Sequence, residues 1–203
     1  MTTANLKQTY MSPKEYLAWE EKQLERHEYL EGIIRAMSGA SITHNQIVAN
    51  LTRFTGNLLE STPCRSYTST QRVQSAKSSQ YFYPDIVVTC GTPQVGQGDS
   101  ILNPAALFEV LSPSTERYDR IEKFRRYQAI ESLQEYFLVS QDAAIVEAFR
   151  RNPNGGWTIE IYVGLGVEIP IESTGIALSM RDIYNGLEIP DEEAIVDAQG
   201  AEA

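Results

Sequence analysis

Two acids set inside apolar runs constrain this 203-residue chain more than any other feature. The first run is Tyr83-Pro84-Asp85-Ile86-Val87-Val88, with Asp85 at its mouth. The second is Ala106-Leu107-Phe108-Glu109-Val110-Leu111, with Glu109 between Phe108 and Val110. Runs this rich in β-branched and aromatic residues read as buried strands. A carboxylate held among such neighbours must find a proton, a counter-charge or a metal. Asp85 and Glu109 are 24 residues apart, enough for two strands joined by a loop, and Lys123 follows in a basic segment. Two acids on adjacent strands with a lysine on the next helix make a cation site with an amine beside it.

The length and the 42% hydrophobic content suit one domain with a full core, expected over residues 1–190. Residues 191–203 read as an acidic, disordered tail with little to bury. Residues 1–12 are polar and lack the apolar stretch of a signal peptide, and no run is long enough to span a membrane. A cytoplasmic protein is expected, with Cys64 and Cys90 as free thiols. The formal charge of −10 argues against a nucleic-acid partner until its distribution is considered. Glu188, Asp191, Glu192, Glu193, Asp197 and Glu202 lie near the C-terminus, and without them 17 basic and 21 acidic residues leave −4. From Arg117 to Arg126 five bases face two acids, read either as a solvated helix face or as a polarised surface beside the acid pair.

In chain order, Ser12-Pro13-Lys14-Glu15 is a helix start, with that helix expected to reach Arg26. Tyr29 to Met37 reads as a strand pair broken at Gly32. A second helix begins at Ser41 or Thr43 and carries Ile47, Val48, Leu51, Phe54 and Leu58 as its apolar stripe. Arg65 to Val73 suits one strand with a wet face, and Gln74 to Gln80 a turn. After Ser112-Pro113-Ser114-Thr115, Asp119 and Glu122 form a candidate capping box for a helix burying Ile121, Phe124 and Tyr127. Three strands then follow, at Glu135–Ser140, Ala144–Phe149 and Trp157–Val163, with a hairpin turn at residues 152–156, and a short helix closes the domain at Ser179–Tyr184. This alternation predicts an α/β (α+β) architecture, a mixed sheet flanked by helices.

Phosphodiester hydrolysis needs a hard dication to gather charge and activate water. Mg²⁺ takes oxygen ligands and keeps several waters, so two strand-end carboxylates and one strand carbonyl suffice. Pro84-Asp85, then Phe108-Glu109-Val110-Leu111-Ser112-Pro113-Ser114-Thr115, then Asp119, Lys123 and Tyr127, resemble the Uma-type restriction endonuclease family of the PD-(D/E)XK nuclease superfamily. Glu135-Tyr136-Phe137-Leu138-Val139 looks like the family's strand after the helix, and Glu31-Gly32, Met37 and His44 like its N-terminal pattern. The resemblance covers roughly Met11 to Leu187. It implies a restriction-endonuclease-like fold and a divalent-metal-dependent DNA endonuclease, acting as a homodimer. Asp85, Glu109 and the Val110 carbonyl would hold Mg²⁺ or Mn²⁺. The superfamily's lysine, two residues after the second acid, is replaced here by Leu111, and the resemblance moves its role to Lys123.

Other residues stay open. His44 is either a packing residue at a helix start or part of a phosphate-facing wall, and Glu31 is either a turn residue or a further metal-site acid. Tyr118 and Tyr127 read as core packing or as base-stacking platforms. No His-plus-acid arrangement supports Ser112 or Ser114 as a nucleophile. Gly96-Gln97-Gly98 is not a phosphate loop, because no Lys-Ser/Thr and helix follow it. Two rivals to the nuclease remain: a catalytically silent nucleic-acid-binding or scaffolding protein, and a metal-free carboxylate site paired with arginine.

Overall fold

The computed structural model describes residues 10–37, 39–75 and 80–190; the acidic tail read from the sequence lies outside them. Helix α1 (Pro13–Glu20) begins as expected, with a reciprocal pair of bonds between Ser12 and Glu15. It stops well before Arg26, because Glu20 turns inward to accept from the His27 amide at 2.9 Å and the Tyr83 hydroxyl at 3.2 Å. Strands β1 (His27–Leu30) and β2 (Ile33–Ala36) form a hairpin. Glu31 and Gly32 make its two-residue turn, both at positive φ (52° and 98°), a geometry that favours glycine at the second position. Helix α2 (Ile42–Leu59) follows, with Ser41 as its N-cap.

The region read as one strand from Arg65 to Val73 divides between two sheets. Strand β3 (Cys64–Thr68) pairs with β6 (Ile86–Cys90), whereas β4 (Val73–Ser75) pairs with β5 (Gln80–Phe82), so the expected turn from Gln74 to Gln80 has strand at both ends. Beyond β7 (Ala106–Val110), a π-helical segment Tyr118–Lys123 runs into α3 (Phe124–Tyr127). Strands β8 (Glu135–Val139), β9 (Ile145–Arg151) and β10 (Trp157–Val163) come next. The hairpin β11 (Glu168–Ile171) and β12 (Ile176–Ser179), absent from the sequence reading, precedes the short α4 (Met180–Ile183).

The main sheet runs β10-β9-β8-β7-β6-β3, a second sheet runs β2-β1-β5-β4, and β11-β12 stand alone. In the main sheet only β7 and β8 are parallel, and their crossover carries the π-helical segment and α3. Period-two alternation then assigns the faces. Ile86, Val88, Phe108, Val110 and Phe137 pack towards Ile47 and Leu51 of α2 and Leu178 of β12. Val87, Leu107, Leu111, Tyr136 and Leu138 pack the other way, against Tyr127 and Phe82. Asp85 and Glu109 continue this second set, so both belong to the face covered by the crossover and the small sheet. No helix among the described residues is long and apolar enough to cross a membrane.

Cys64 and Cys90 are not free thiols: they are directly paired residues of β3 and β6 and are joined in a disulfide. Their 26-residue separation carries no motif, and the pairing becomes visible only once the two strands are laid side by side. Closing a loop of that size restricts the unfolded chain by about 3 kcal/mol. Reduction with dithiothreitol is therefore expected to lower Tm by roughly 6–12 °C for a chain of this size. A Cys64→Ser/Cys90→Ser variant whose Tm equals that of the oxidised protein would refute the bridge's contribution.

Nine tyrosines, at positions 16, 29, 81, 83, 118, 127, 136, 162 and 184, have phenol pKa values raised above 10, chiefly because burial disfavours the phenolate. A group raised in the folded state contributes stability below its unfolded pKa of about 10, and that stability is lost as pH rises further. Phenolate absorbance should therefore appear steeply above pH ~10, together with loss of the circular dichroism signal. Gradual ionisation of all tyrosines near pH ~10 in a protein that stays folded would contradict this.

Candidate active site

The antiparallel register sets Ile86 against Phe108, and one step further places Asp85 opposite Glu109. Asp85 is fixed by the main chain: the Val110 amide donates to its Oδ2 at 2.7 Å. From the other side of the sheet, His44 in the first turn of α2 brings Nε2 to 3.3 Å from Asp85 Oδ1. Burial alone would lower the His44 pKa, but the hydrogen bond and charge of Asp85 outweigh it and raise it, with the Val110 backbone adding to the same effect.

The crossover supplies the amine. An inward line of Asp119, Lys123 and Tyr127 recurs every four residues, a spacing that drifts round an ordinary helix of 3.6 residues per turn. The widened π turn holds these residues in line. This corrects the sequence reading twice. Ile121 points out, 58% exposed. Asp119 is not a cap but a buried acid, and Arg117 precedes the segment without a side-chain cap.

Lys123 is 5% exposed. Its Nζ lies 2.8 Å from Glu109 Oε1, 3.0 Å from Glu28 Oε1 and 3.6 Å from Asp119 Oδ1. Desolvation would lower its pKa, but the carboxylates of Glu109, Glu28 and Asp119 overcome it and hold the ammonium well above the ordinary lysine range. Lys123 is therefore a fixed cation at neutral pH. Tyr127 donates to Glu109 Oε1 at 3.0 Å, and Tyr118 donates to Glu28 Oε2 at 2.9 Å. Glu109 titrates well above the usual carboxylate range, first because it is buried and then because Asp119 and Asp85 repel its charge, against the pull of Lys123. Burial likewise raises Asp119, against Lys123 and a hydrogen bond from Thr115.

All of these groups except the fully buried Tyr127 line one open cleft of about 410 Å³. Asp85, Glu109, Val110, Lys123 and His44 are all brought together there, and Glu31 is not. Glu31 sits exposed in the β1–β2 turn, with Arg126 as a loose partner at 4.0 Å. The N-terminal acid that does enter is Glu28, on β1 directly across from Arg35. The available sequence signal was strand alternation: with Tyr29 in the small core cluster beside Tyr16, its neighbour Glu28 faces the opposite way.

The cleft gathers the four carboxylates of Glu28, Asp85, Glu109 and Asp119 around the Lys123 ammonium, the Arg35 guanidinium and the His44 imidazole, and such an oxygen-rich wall suits oxygen-seeking dications. Among the described residues no three His, Cys, Asp or Glu side chains form a ready-made metal cage. Two carboxylates and a carbonyl leave the remaining positions to water, which is how Mg²⁺ is commonly held. Asp85, Glu109 and the Val110 carbonyl are the oxygen donors that would hold Mg²⁺ or Mn²⁺ here.

A mixed sheet with two acids at its strand ends and a lysine on the crossover defines a restriction-endonuclease-like protein. The model of the Uma2 family, described as "Putative restriction endonuclease", matches residues 13–181, and the chain belongs to that family. It is 38% identical over 177 residues to the uncharacterized protein slr1290 of Synechocystis sp. (strain ATCC 27184 / PCC 6803 / Kazusa), covering 87% of this chain and 93% of that protein. The uncharacterized protein sll1609 of the same organism is 32% identical over 161 residues, covering 78% and 91%. The fold matches the crystal structure of a "putative nuclease belonging to DUF820" from Anabaena variabilis ATCC 29413 with a TM-score of 0.70, covering 85% of this chain and 97% of that one. At 18% identity, that likeness speaks for the fold alone.

Proposed function

We propose that this protein is a divalent-metal-dependent endonuclease that hydrolyses DNA phosphodiester bonds. The observation that carries this reading is the Lys123 ammonium, 2.8 Å from Glu109 and facing the same cleft as Asp85. In this reading Lys123, on the crossover, takes the part of the superfamily's lysine, whose place two residues after Glu109 is held by Leu111. A bound Mg²⁺ or Mn²⁺ supplies Lewis-acid stabilisation of phosphate charge and a more acidic water. Asp85 and Glu109, with the Val110 carbonyl, hold that cation. Lys123, protonated throughout the neutral range, donates to the attacking water or to the phosphate oxygen where charge develops. His44, with Nε2 3.3 Å from Asp85 Oδ1, positions that carboxylate for the cation. A homodimer belongs to this reading, since a duplex has two strands to cut and two-fold pairing is the commonest assembly; size-exclusion chromatography tests it.

A second reading, a catalytically silent nucleic-acid-binding or scaffolding protein on the same fold, is favoured by Lys123 itself, which already serves as counter-ion to Glu28 and Glu109. Nicking of supercoiled plasmid with Mg²⁺ or Mn²⁺ decides between them. Cleavage that chelation abolishes supports the nuclease, and purified protein that never cuts with either ion supports the silent fold.

A further inference from the structure

Arg35 is a cation of the cleft with no acid to hold it. Its guanidinium stacks 3.5 Å from the centre of the Tyr118 ring, and no hydrogen bond or ion pair among the described residues occupies its N–H groups. Glu28 faces it across the hairpin, but the carboxylate is taken by Lys123 and the Tyr118 hydroxyl. Arg35, Tyr118 and Ser114 line both the cleft and a second hollow, whose other walls are Arg117, Ile121 and the acid Glu122.

A planar cation pinned by its face, with its donor edges unused, is built to accept a tetrahedral anion. We propose that Arg35, seated on Tyr118, is a phosphate clamp that binds the backbone phosphate next to the scissile one, with Arg117 extending the track along the outer hollow. This rests on the nuclease reading and adds to it where the strand leaves the cleft. The seat is tied to the chemistry, because the Tyr118 hydroxyl that supports Arg35 also holds Glu28, and Glu28 holds Lys123. Arg35 is thus a binding residue with a direct contact to the positioning network of the lysine.

The test uses the full chain in a Glu109→Gln background, so that binding is measured without cleavage, with a short fluorescein-labelled DNA duplex as the probe. Arg35→Ala is expected to raise Kd about tenfold and to reduce the slope of log Kd against log salt by about 0.9, one phosphate contact. Arg35→Lys keeps the charge and restores the slope, which a merely structural role would not do. An affinity and slope unchanged in Arg35→Ala overturn the clamp. Titration with inorganic phosphate forms the second arm: free phosphate bound as tightly as the duplex also overturns it, because the site would then recognise the ion and not a backbone. The two readings fail separately. If the protein with Glu109 and Arg35 intact cuts plasmid while Arg35→Ala leaves binding unchanged, only the clamp is lost. If that protein neither cuts nor binds duplex, the nuclease reading falls and the clamp with it.

Discussion

Glu109→Gln is expected to reduce metal-dependent plasmid cleavage by about 10³-fold while leaving the fold intact, and Asp85→Asn to do the same. Each change removes one charged ligand from the cation, and electrostatic contacts of this kind are worth roughly 10²–10³ in rate when removed singly. The amide variants are the sharp test because they are nearly isosteric and discharge an already crowded cleft. Glu109 is buried, held by Lys123 and repelled by Asp119 and Asp85, so its amide variant is assayed beside circular dichroism showing a folded protein. Lys123→Ala should be equally inactive, but it strips three buried acids of their cation, and loss of one partner of such a pair costs about 3–5 kcal/mol. Its inactivity therefore has meaning only beside circular dichroism showing a folded protein. Lys123→Ala/Glu28→Gln relieves one of the stranded charges and gives a more stable background for the same assay. Wild-type rates in a folded Lys123→Ala protein would show that the amine takes no part.

Much of this site was legible because the strands that build it are local and strongly patterned. Pro84-Asp85 at the mouth of one apolar run and Glu109 within another point to neighbouring strands, and β6 pairs with β7 as expected. The Ser12–Glu15 capping box was equally local. What escaped depended on through-space geometry. The turn at Gly32 marks Glu31 in the sequence, yet Glu31 is exposed in that turn and it is Glu28 that lines the cleft. The crossover read as an α-helix with Ile121 inward; the π turn rotates the chain so that the polar line of Asp119 and Lys123 is buried instead. A one-residue widening leaves no mark on a hydrophobicity pattern, and such insertions are frequent at functional sites. The β3–β6 disulfide and the division of residues 65–75 between two sheets were likewise invisible until strand partners were known.

A stability effect as large as that of Lys123→Ala is expected outside the cleft, at Glu135. This acid opens β8 and is 2% exposed. Its oxygens accept from Arg150 Nε at 3.2 Å, from the amides of Glu172 and Ser173 at 3.0 and 2.9 Å, and from the Ser173 hydroxyl at 2.6 Å. Arg150, equally buried, donates to the Pro170 carbonyl at 2.6 Å and also binds Glu160. The pair thus fastens the β11–β12 hairpin, which leads into α4, to the main sheet. Glu135→Ala takes one carboxylate from a buried guanidinium, which keeps Glu160 and the Pro170 carbonyl, and leaves two amides and a hydroxyl without an acceptor. Breaking a buried ion pair from one side costs about 3–5 kcal/mol. At this chain length that corresponds to a Tm lower by roughly 6–20 °C. Glu135→Gln keeps acceptors for the hairpin while losing the charge, so it should fall between Ala and wild type. Arg150→Met, which leaves the carboxylate its two amide donors and the Ser173 hydroxyl, should cost less than Glu135→Ala. Amide exchange locates the effect: residues 168–179 should lose protection first in Glu135→Ala, ahead of β6 and β7. A Tm within a degree or two of wild type, or uniform loss of protection across the sheet, would show that the hairpin is held by its apolar residues, Ile169, Ile171 and Leu178, and not by this ion.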